Sequence, residues 1–200
     1  MPNFKNIISY FDKKSINYNK NSNSFPWSFI RKIESKEILK LAGNLKNKEV
    51  LDFGSGSGFY SKILKKKSPK KIFALDASKE MLKKIKDKTI IKINQNAENF
   101  KINKKFDVII CAGLLEFVKS PNKILRKLKT SSKKNCKLII LCPSENIFAK
   151  IYRLNHSKNG LQINLFNSIK IGNILNKSGW RIERQKKILF SIILLAKLKI

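Results

Sequence analysis

Histidine, cysteine and acidic residues are scarce in this chain of 200 residues, and each shortage excludes a class of function. A single histidine, His156, excludes a histidine-rich metal centre and leaves a Ser-His-Asp arrangement only one candidate base. The three cysteines, Cys111, Cys136 and Cys142, lie in apolar runs, without the paired spacing of a zinc site or a disulfide framework. We interpret them as reduced core residues and expect no metal.

Long apolar runs are also missing. The longest candidate, residues 188–196, is about half of the roughly 18 to 20 residues that a spanning helix needs, and it predicts a buried strand. The N-terminus carries charged residues where a secretory signal has its apolar centre. We therefore expect a cytoplasmic protein with one domain over residues 25–200, preceded by a polar leader or lid at residues 1–24.

Positive charge is abundant, with 44 Lys and Arg against 13 Asp and Glu and a net charge of +31. Such a balance suggests a nucleic-acid or anionic-membrane partner. However, nearly all of this charge is lysine, which is scattered along every segment together with Asn and Ile. These three residues have A/T-rich codons, so a composition bias also explains the excess. Nucleic acid is therefore an open but not favoured partner, and peripheral membrane contact is a second open alternative.

Short apolar runs alternate with lysine-studded helical stretches after an entry helix at residues 27–45. This alternation is typical of a parallel sheet that is covered on both faces. The predicted strands are residues 49–53, 71–75, 89–93, 106–111 and 136–142. The predicted helices are residues 57–66, 79–86, 122–131 and 166–177. Two antiparallel strands are expected to close one edge at the C-terminus.

The stretch VLDFGSGSGFYS is the most informative motif, because a buried strand runs directly into a glycine-rich turn and then a helix. Glycines allow the backbone to turn tightly and approach a ligand, and the helix start offers free amide donors. A phosphate-binding P-loop would need Gly-Lys-Ser/Thr after the turn, and a dinucleotide fingerprint would need glycine at Phe59. A glycine-rich turn in an unrelated α/β protein is the remaining structural alternative.

The motif resembles the glycine loop of class I S-adenosylmethionine-dependent methyltransferases, of the small-molecule, type 11-like kind. In that family an acidic residue and a spacer precede G-x-G-x-G, as Asp52 and Phe53 do here. The resemblance implies a Rossmann-like, seven-stranded, mostly parallel sheet with helices on both faces and an antiparallel C-terminal hairpin. It also implies that Asp52 holds the amino-acid end of S-adenosyl-L-methionine and that the loop packs on the methionine and sugar. The loop residues concerned are Gly54, Ser55, Gly56 and Gly58.

Asp76 follows the second strand and lies 18 residues beyond Gly58, close to the roughly 20 expected for a carboxylate that binds a ribose. A carboxylate accepts hydrogen bonds from two adjacent hydroxyls, so it can select a nucleoside. The alternative is that Asp76 caps the next helix, a role that Ser78 could also fill. The resemblance further implies that Ala77 and Met81 flank the adenine, although Met81 also fits a helix core.

Two later segments resemble the rest of the family's donor site. Gln95 to Phe100 resembles the segment that closes over the adenine, with Asn96, Ala97 and Glu98 as donor contacts and Asn96 in place of the common aspartate. Its side-chain carbonyl can still accept from the adenine amino group. The fourth strand, which ends near Cys111, resembles the strand whose tip meets the donor.

The turn after that strand is expected to face the methyl acceptor. It carries Glu116-Phe117 where many small-molecule enzymes have Glu-His, and it lacks the motif of enzymes that methylate base amino groups. If the acceptor needs a general base, the candidates are Glu116, His156 and Tyr10. We expect His156 in an exposed loop, which argues against it as a base, and we interpret Cys142 as structural.

Together these motifs predict an S-adenosylmethionine-dependent methyltransferase that acts on a small-molecule acceptor, with O-, C- or N-methylation left open. One alternative is an RNA or protein methyltransferase that docks through its lysines, which a steep salt dependence on RNA would favour. Another is a donor-binding protein without turnover.

Overall fold

The computed structural model describes residues 4–15, 27–158 and 160–199. In chain order its helices are α1 (Phe4–Ser15), α2 (Trp27–Ala42), α3 (Phe59–Lys65), α4 (Lys79–Lys83), α5 (Pro121–Leu128), α6 (Ile147–Ser157) and α7 (Ser168–Lys177). Its strands are β1 (Glu49–Phe53), β2 (Lys71–Asp76), β3 (Ile90–Asn94), β4 (Phe106–Ala112), β5 (Ser132–Pro143), β6 (Trp180–Ile188) and β7 (Ser191–Leu198). A short 3-10 turn, Leu115–Phe117, follows β4.

The strands form one seven-stranded sheet in the order β3-β2-β1-β4-β5-β7-β6. Strands β1 to β5 are parallel, β7 is antiparallel to β5, and β6 is antiparallel to β7. This arrangement confirms the predicted fold class. The strand order reverses between β1 and β4, and in open α/β sheets ligands bind at such a point, outside the carboxyl ends of the strands.

Both faces of the sheet are buried because successive strand residues point to opposite sides. On β1, Leu51 and Phe53 belong to a core that includes residues of α5 and α7, whereas Val50 belongs to a core that includes residues of α2, α3 and α4. The chain thus has helices on both faces, as a mostly parallel sheet requires. The carboxyl edge of the sheet positions the site.

Several predicted boundaries need correction. Residues 188–196 are not one strand, because a turn at Leu189, which has a φ of +44°, separates β6 from β7. The α6 helix lies in a segment for which the sequence predicts no helix or strand, and β5 begins four residues earlier than predicted. Part of the predicted leader is the helix α1, whereas residues 16–24 lie outside the described residues. Within the described ranges, no helix combines the length and hydropathy needed to cross a bilayer.

Candidate active site

The glycine loop connects the carboxyl end of β1 to α3 and contacts the carboxyl end of β2. The backbone amides of Gly54 and Ser55 both donate to the carbonyl oxygen of Leu75, at 2.8 and 2.9 Å. Gly56 has a φ of +53°, and a Cβ built there would meet nothing within 4 Å. A Cβ at Gly58 would instead lie 2.7 Å from Ile85. The loop therefore leaves an open space beside Gly56, and the close packing of Gly58 explains the need for glycine there.

Asp76 stands at the edge of this space. Its Oδ2 accepts a hydrogen bond from the Gly56 amide at 2.8 Å, and its Oδ1 accepts from the Ser78 amide at 2.9 Å. Ser78 is the cap of α4, because its hydroxyl accepts from the Met81 amide. Burial raises the pKa of Asp76, although these hydrogen bonds lower it. Asp76 lines the cavity, and its two carboxylate oxygens retain acceptor capacity beside these bonds.

Asp52 lies on β1, ahead of the glycine loop. Its side chain is buried, it does not line the cavity, and its Oδ2 accepts from both the amide and the hydroxyl of Ser61, at 2.9 and 2.6 Å. Burial raises its pKa to about 6. Asp52 therefore holds the start of α3 against β1, and its contact with the amino-acid end of the donor stays a prediction.

The residues expected around the adenine divide into two groups. Ala77, Met81 and Ala97 line the cavity, as a flat apolar ring would require. Asn96 does not line the cavity, and its Oδ1 accepts a hydrogen bond from the Glu98 amide at 2.8 Å. Glu98 is also engaged elsewhere, since its Oε1 accepts from the Lys119 amide.

Cys111 does not line the cavity either. Its side chain is fully buried in the core, and burial pushes the pKa of its thiol upward, so it stays a neutral thiol. The next three residues, Ala112, Gly113 and Leu114, line the cavity. The tip of β4 thus reaches the cavity, and donor contact by Cys111 itself stays a prediction.

The three candidate bases belong to the same cavity. Glu116, Tyr10 and His156 all line it, and the ring of His156 makes an edge contact with that of Tyr10 at a centroid distance of 5.6 Å. The expected exposed loop position of His156 is wrong, because the residue lies on α6 and is only 5% exposed. Burial lowers its pKa to about 4, so the imidazole is neutral at pH 7.

Glu116 is the most unusual of the three. The residue is 4% exposed, and its Oε2 has no hydrogen-bond partner among the described residues. Its Oε1 lies 3.7 Å from the position that a Cβ on Gly113 would occupy, which places the carboxyl at the tip of β4. Burial, assisted by the nearby Glu34, raises its pKa to about 8.

Several cavity residues were not predicted from the sequence. The entry helix α2 contributes Ile30, Arg31 and Glu34, and the β6–β7 turn contributes Phe190 and Ser191. Glu34 is buried and accepts a hydrogen bond from the Ser191 hydroxyl, 157 positions away in the chain. The sequence does indicate that Glu34 is buried, because it lies four residues from both Ile30 and Ile38 and so occupies the apolar face of its helix.

The resulting cavity has a volume of about 540 Å³, within the range of small-molecule sites. Its donor end fits a nucleoside with an amino-acid tail: it offers the open space at Gly56, the carboxylate of Asp76, and the Ser55 hydroxyl, which is buried without a partner among the described residues. In the described part of the chain, no group of three or more His, Cys, Asp or Glu side chains could hold a metal ion.

The profile of the methyltransferase domain family matches residues 27–185 of the chain. Comparison with curated protein sequences returns no significant match.

Solved structures share the fold over almost the whole chain. Magnesium protoporphyrin IX methyltransferase from Synechocystis PCC 6803, with bound S-adenosylhomocysteine, has a TM-score of 0.75 at 18% identity, covering 96% of this chain and 98% of that one. The methyltransferase in complex with the Trm112 activator from Haloferax volcanii gives 0.80 at 13% identity, with 95% and 98% covered. The DhpI complex with S-adenosylhomocysteine gives 0.78 at 14%, with 98% and 96% covered.

Proposed function

The chain belongs to the methyltransferase domain family as an S-adenosylmethionine-dependent enzyme, and on that premise we propose that it methylates a small-molecule acceptor. The observation that carries the proposal is a single cavity with two chemically different ends. One end is formed by the glycine loop and Asp76, and the other by Glu116, Tyr10 and His156. A cytoplasmic location and a single domain over residues 25–200 stay predictions.

At the donor end, Asp76 accepts hydrogen bonds from the ribose hydroxyls, and the glycine loop lies against the methionine part. Ala77, Met81 and Ala97 contact the adenine, and the Ser55 hydroxyl is available to the polar tail. Asp52 fixes α3 behind the loop. The donor supplies a methyl group on a sulfonium, which is already electrophilic, so alignment of the acceptor and exclusion of water are the main tasks of the protein.

At the acceptor end, α1 and α6 cover the cavity. Ile7 and Phe117 share a small buried cluster with the segment after α6, and Tyr10 and Phe11 pack against it. The rings of Phe11 and Phe117 meet edge to face at 5.1 Å. These apolar contacts exclude water and support an organic acceptor of limited size. Glu116 is the proposed base, because the pKa of His156 is too low and Tyr10 accepts a hydrogen bond from Lys14.

Calorimetric titration with S-adenosylhomocysteine tests the donor end. Asp76→Ala removes the ribose acceptor and should weaken binding about 10- to 100-fold, the effect of losing hydrogen bonds to a charged group. Asp87→Ala is the matched control, because Asp87 is an aspartate that pairs with Lys65 outside the cavity. Equal affinity of wild type and Asp76→Ala would refute the assigned donor site.

A further inference from the structure

The carboxyl of Glu116 is buried, and no cation among the described residues pairs with it. Lys14 and Arg31 line the same cavity, but the Lys14 ammonium donates to the Tyr10 hydroxyl at 3.1 Å, and the Arg31 guanidinium lies over the ring of Phe59 at 4.8 Å. Arg31 also acts electrostatically on Glu34. In the part of the chain that the structure describes, no basic side chain forms an ion pair with Glu116, and an unpaired buried carboxyl calls for a ligand.

Aromatic rings line the same cavity as this carboxyl. Phe117 follows it directly in the chain, and the ring of His156 meets those of Phe117 and Tyr10 at 5.7 and 5.6 Å. All three residues line the cavity together with Phe11. The faces of aromatic rings attract cations, and the attraction grows when water is excluded. A cavity that combines an acidic group with aromatic rings suits an alkylated ammonium.

We propose that the acceptor end of the cavity, bounded by Tyr10, Phe11, Phe117, His156 and the Glu116 carboxyl, binds the methyl acceptor as an amine. This inference rests on the proposed function and names its substrate class. A buried carboxylate costs several kcal/mol unless it is paired, and an ammonium provides that pairing. An anionic acceptor would instead face two neighbouring carboxyls, Glu34 and Glu116, in a site of low dielectric. The two cations of the cavity already have other contacts, Lys14 with Tyr10 and Arg31 with Phe59 and Glu34.

The geometry also supplies a route for the proton. An amine enters as an ammonium and transfers one proton to the Glu116 carboxylate, which restores the nitrogen lone pair. The lone pair forms the new N–C bond while the S–C bond of the donor breaks, and the sulfide leaves with the electrons of that bond. The methylated nitrogen keeps its positive charge until it loses a proton outside the site, and the proton on Glu116 passes to solvent.

Three titrating groups interact electrostatically with Glu116: Glu34 on α2, Cys111 on β4 and Cys142 on β5. Four further titrating or charged residues line the same cavity, namely Tyr10 and Lys14 on α1, Arg31 on α2 and His156 on α6. Burial keeps both thiols and the imidazole neutral at pH 7. Because the pKa of Glu116 is about 8, this carboxyl is mostly protonated at pH 7 before an amine binds. Binding of an ammonium should therefore release about one proton per site.

Three probes with the same ring test the inference: 2-phenylethylamine, 2-phenylethanol and 3-phenylpropanoate. Each is titrated calorimetrically into the full chain loaded with S-adenosylhomocysteine at pH 7, in two buffers of different ionisation enthalpy. We expect the amine to bind about tenfold more tightly than the alcohol, and its binding to release about one proton. The carboxylate should bind more weakly than both.

Glu116→Gln keeps the shape of the side chain and removes its charge. In this variant the amine should lose its tenfold advantage and its proton release, while S-adenosylhomocysteine binds as before. Glu183→Gln, a carboxylate outside the cavity on β6, should change neither quantity. Thermal unfolding of both variants shows that each is folded.

The outcomes separate the two proposals. If wild type does not bind S-adenosylhomocysteine, the proposed function fails. If it does, three results each overturn the amine inference alone: the alcohol or the carboxylate binds as tightly as the amine, Glu116→Gln keeps the amine preference, or none of the three probes binds.

Discussion

At the scale of single residues, two glycines offer a matched test of the donor loop. Gly56 and Gly160 both have positive φ, at +53° and +72°, and a Cβ on either would meet no atom within 4 Å. Valine at either position should cost about 1–2 kcal/mol of unfolding free energy, because a side chain disfavours this conformation. Only Gly56→Val also places a side chain in the cavity.

We predict that Gly56→Val abolishes binding of S-adenosylhomocysteine and that Gly160→Val leaves it unchanged, at similar losses of thermal stability. Calorimetry and thermal unfolding measure the two effects separately. Binding retained in Gly56→Val would show that the ligand does not approach the loop.

Glu116 predicts a pH dependence of stability. Its pKa in the folded protein is about 8, above the ordinary 4.5, so the folded state binds the proton more tightly than the unfolded state. Stability therefore falls as pH rises from 4.5 through about 8, where the buried group ionises. In Glu116→Gln this contribution disappears.

The Tm of Glu116→Gln should accordingly exceed that of wild type at pH 9, and the difference should shrink toward pH 5. Thermal unfolding by circular dichroism across this range tests it. A variant that is less stable than wild type at pH 9 would show that the carboxylate is stabilised by a partner inside the protein.

At the scale of elements, α1 covers the donor end as well as the acceptor end. Ser78, the cap of α4, donates its hydroxyl proton to Asp12 on α1, and the apolar residues of α1 line the cavity. We predict that Asp12→Ala loosens this cover and raises the dissociation rate of S-adenosylhomocysteine about fivefold, as expected for a hydrogen bond worth ~1 kcal/mol.

Ser9→Ala is the control for α1, because Ser9 is exposed on the same helix. Surface plasmon resonance measures both dissociation rates. If Asp12→Ala dissociates at the rate of wild type, α1 does not cover the donor.

The sequence predicts those elements whose hydrophobic pattern or motif spacing is contained within one short segment of the chain. The strands β1, β2 and β4 are apolar runs between polar stretches, and Asp76 is placed by its distance from the glycine loop. The helix α6 was missed because two of its large apolar residues, Ile147 and Leu154, are exposed, so its periodicity does not mark a buried face. Glu34 reaches the site only because α2 packs near β7, which depends on contacts between distant parts of the chain.

At the scale of the whole molecule, most of the positive charge lies outside the site, whose lining includes only Lys14 and Arg31 among the described Lys and Arg residues. Some of it is paired at the amino ends of β1 and β4, where Lys104 and Lys133 contact Glu49 and Asp107 at 2.9 and 2.8 Å. Pairs of this kind on the surface contribute little, and 13 acidic residues cannot pair with 44 basic ones. Repulsion between lysines should therefore destabilise the fold at low salt.

We predict that the Tm rises when NaCl is increased from about 0.01 M to about 0.15 M, which shortens the Debye length from ~30 Å to ~8 Å. Affinity for S-adenosylhomocysteine should change little, because the donor end of the cavity does not depend on surface lysines. Differential scanning calorimetry and a titration at both salt concentrations test this, and a Tm that falls with salt would contradict it.

The central claim is the position of the donor in the cavity, and a crystal structure of the complex with S-adenosylhomocysteine tests this position most directly. We predict that both ribose hydroxyls lie about 2.6–3.2 Å from the Asp76 carboxylate, with the sulfur facing the end that holds Glu116. A nucleoside bound outside this crevice, or a ribose that does not contact Asp76, would contradict the account.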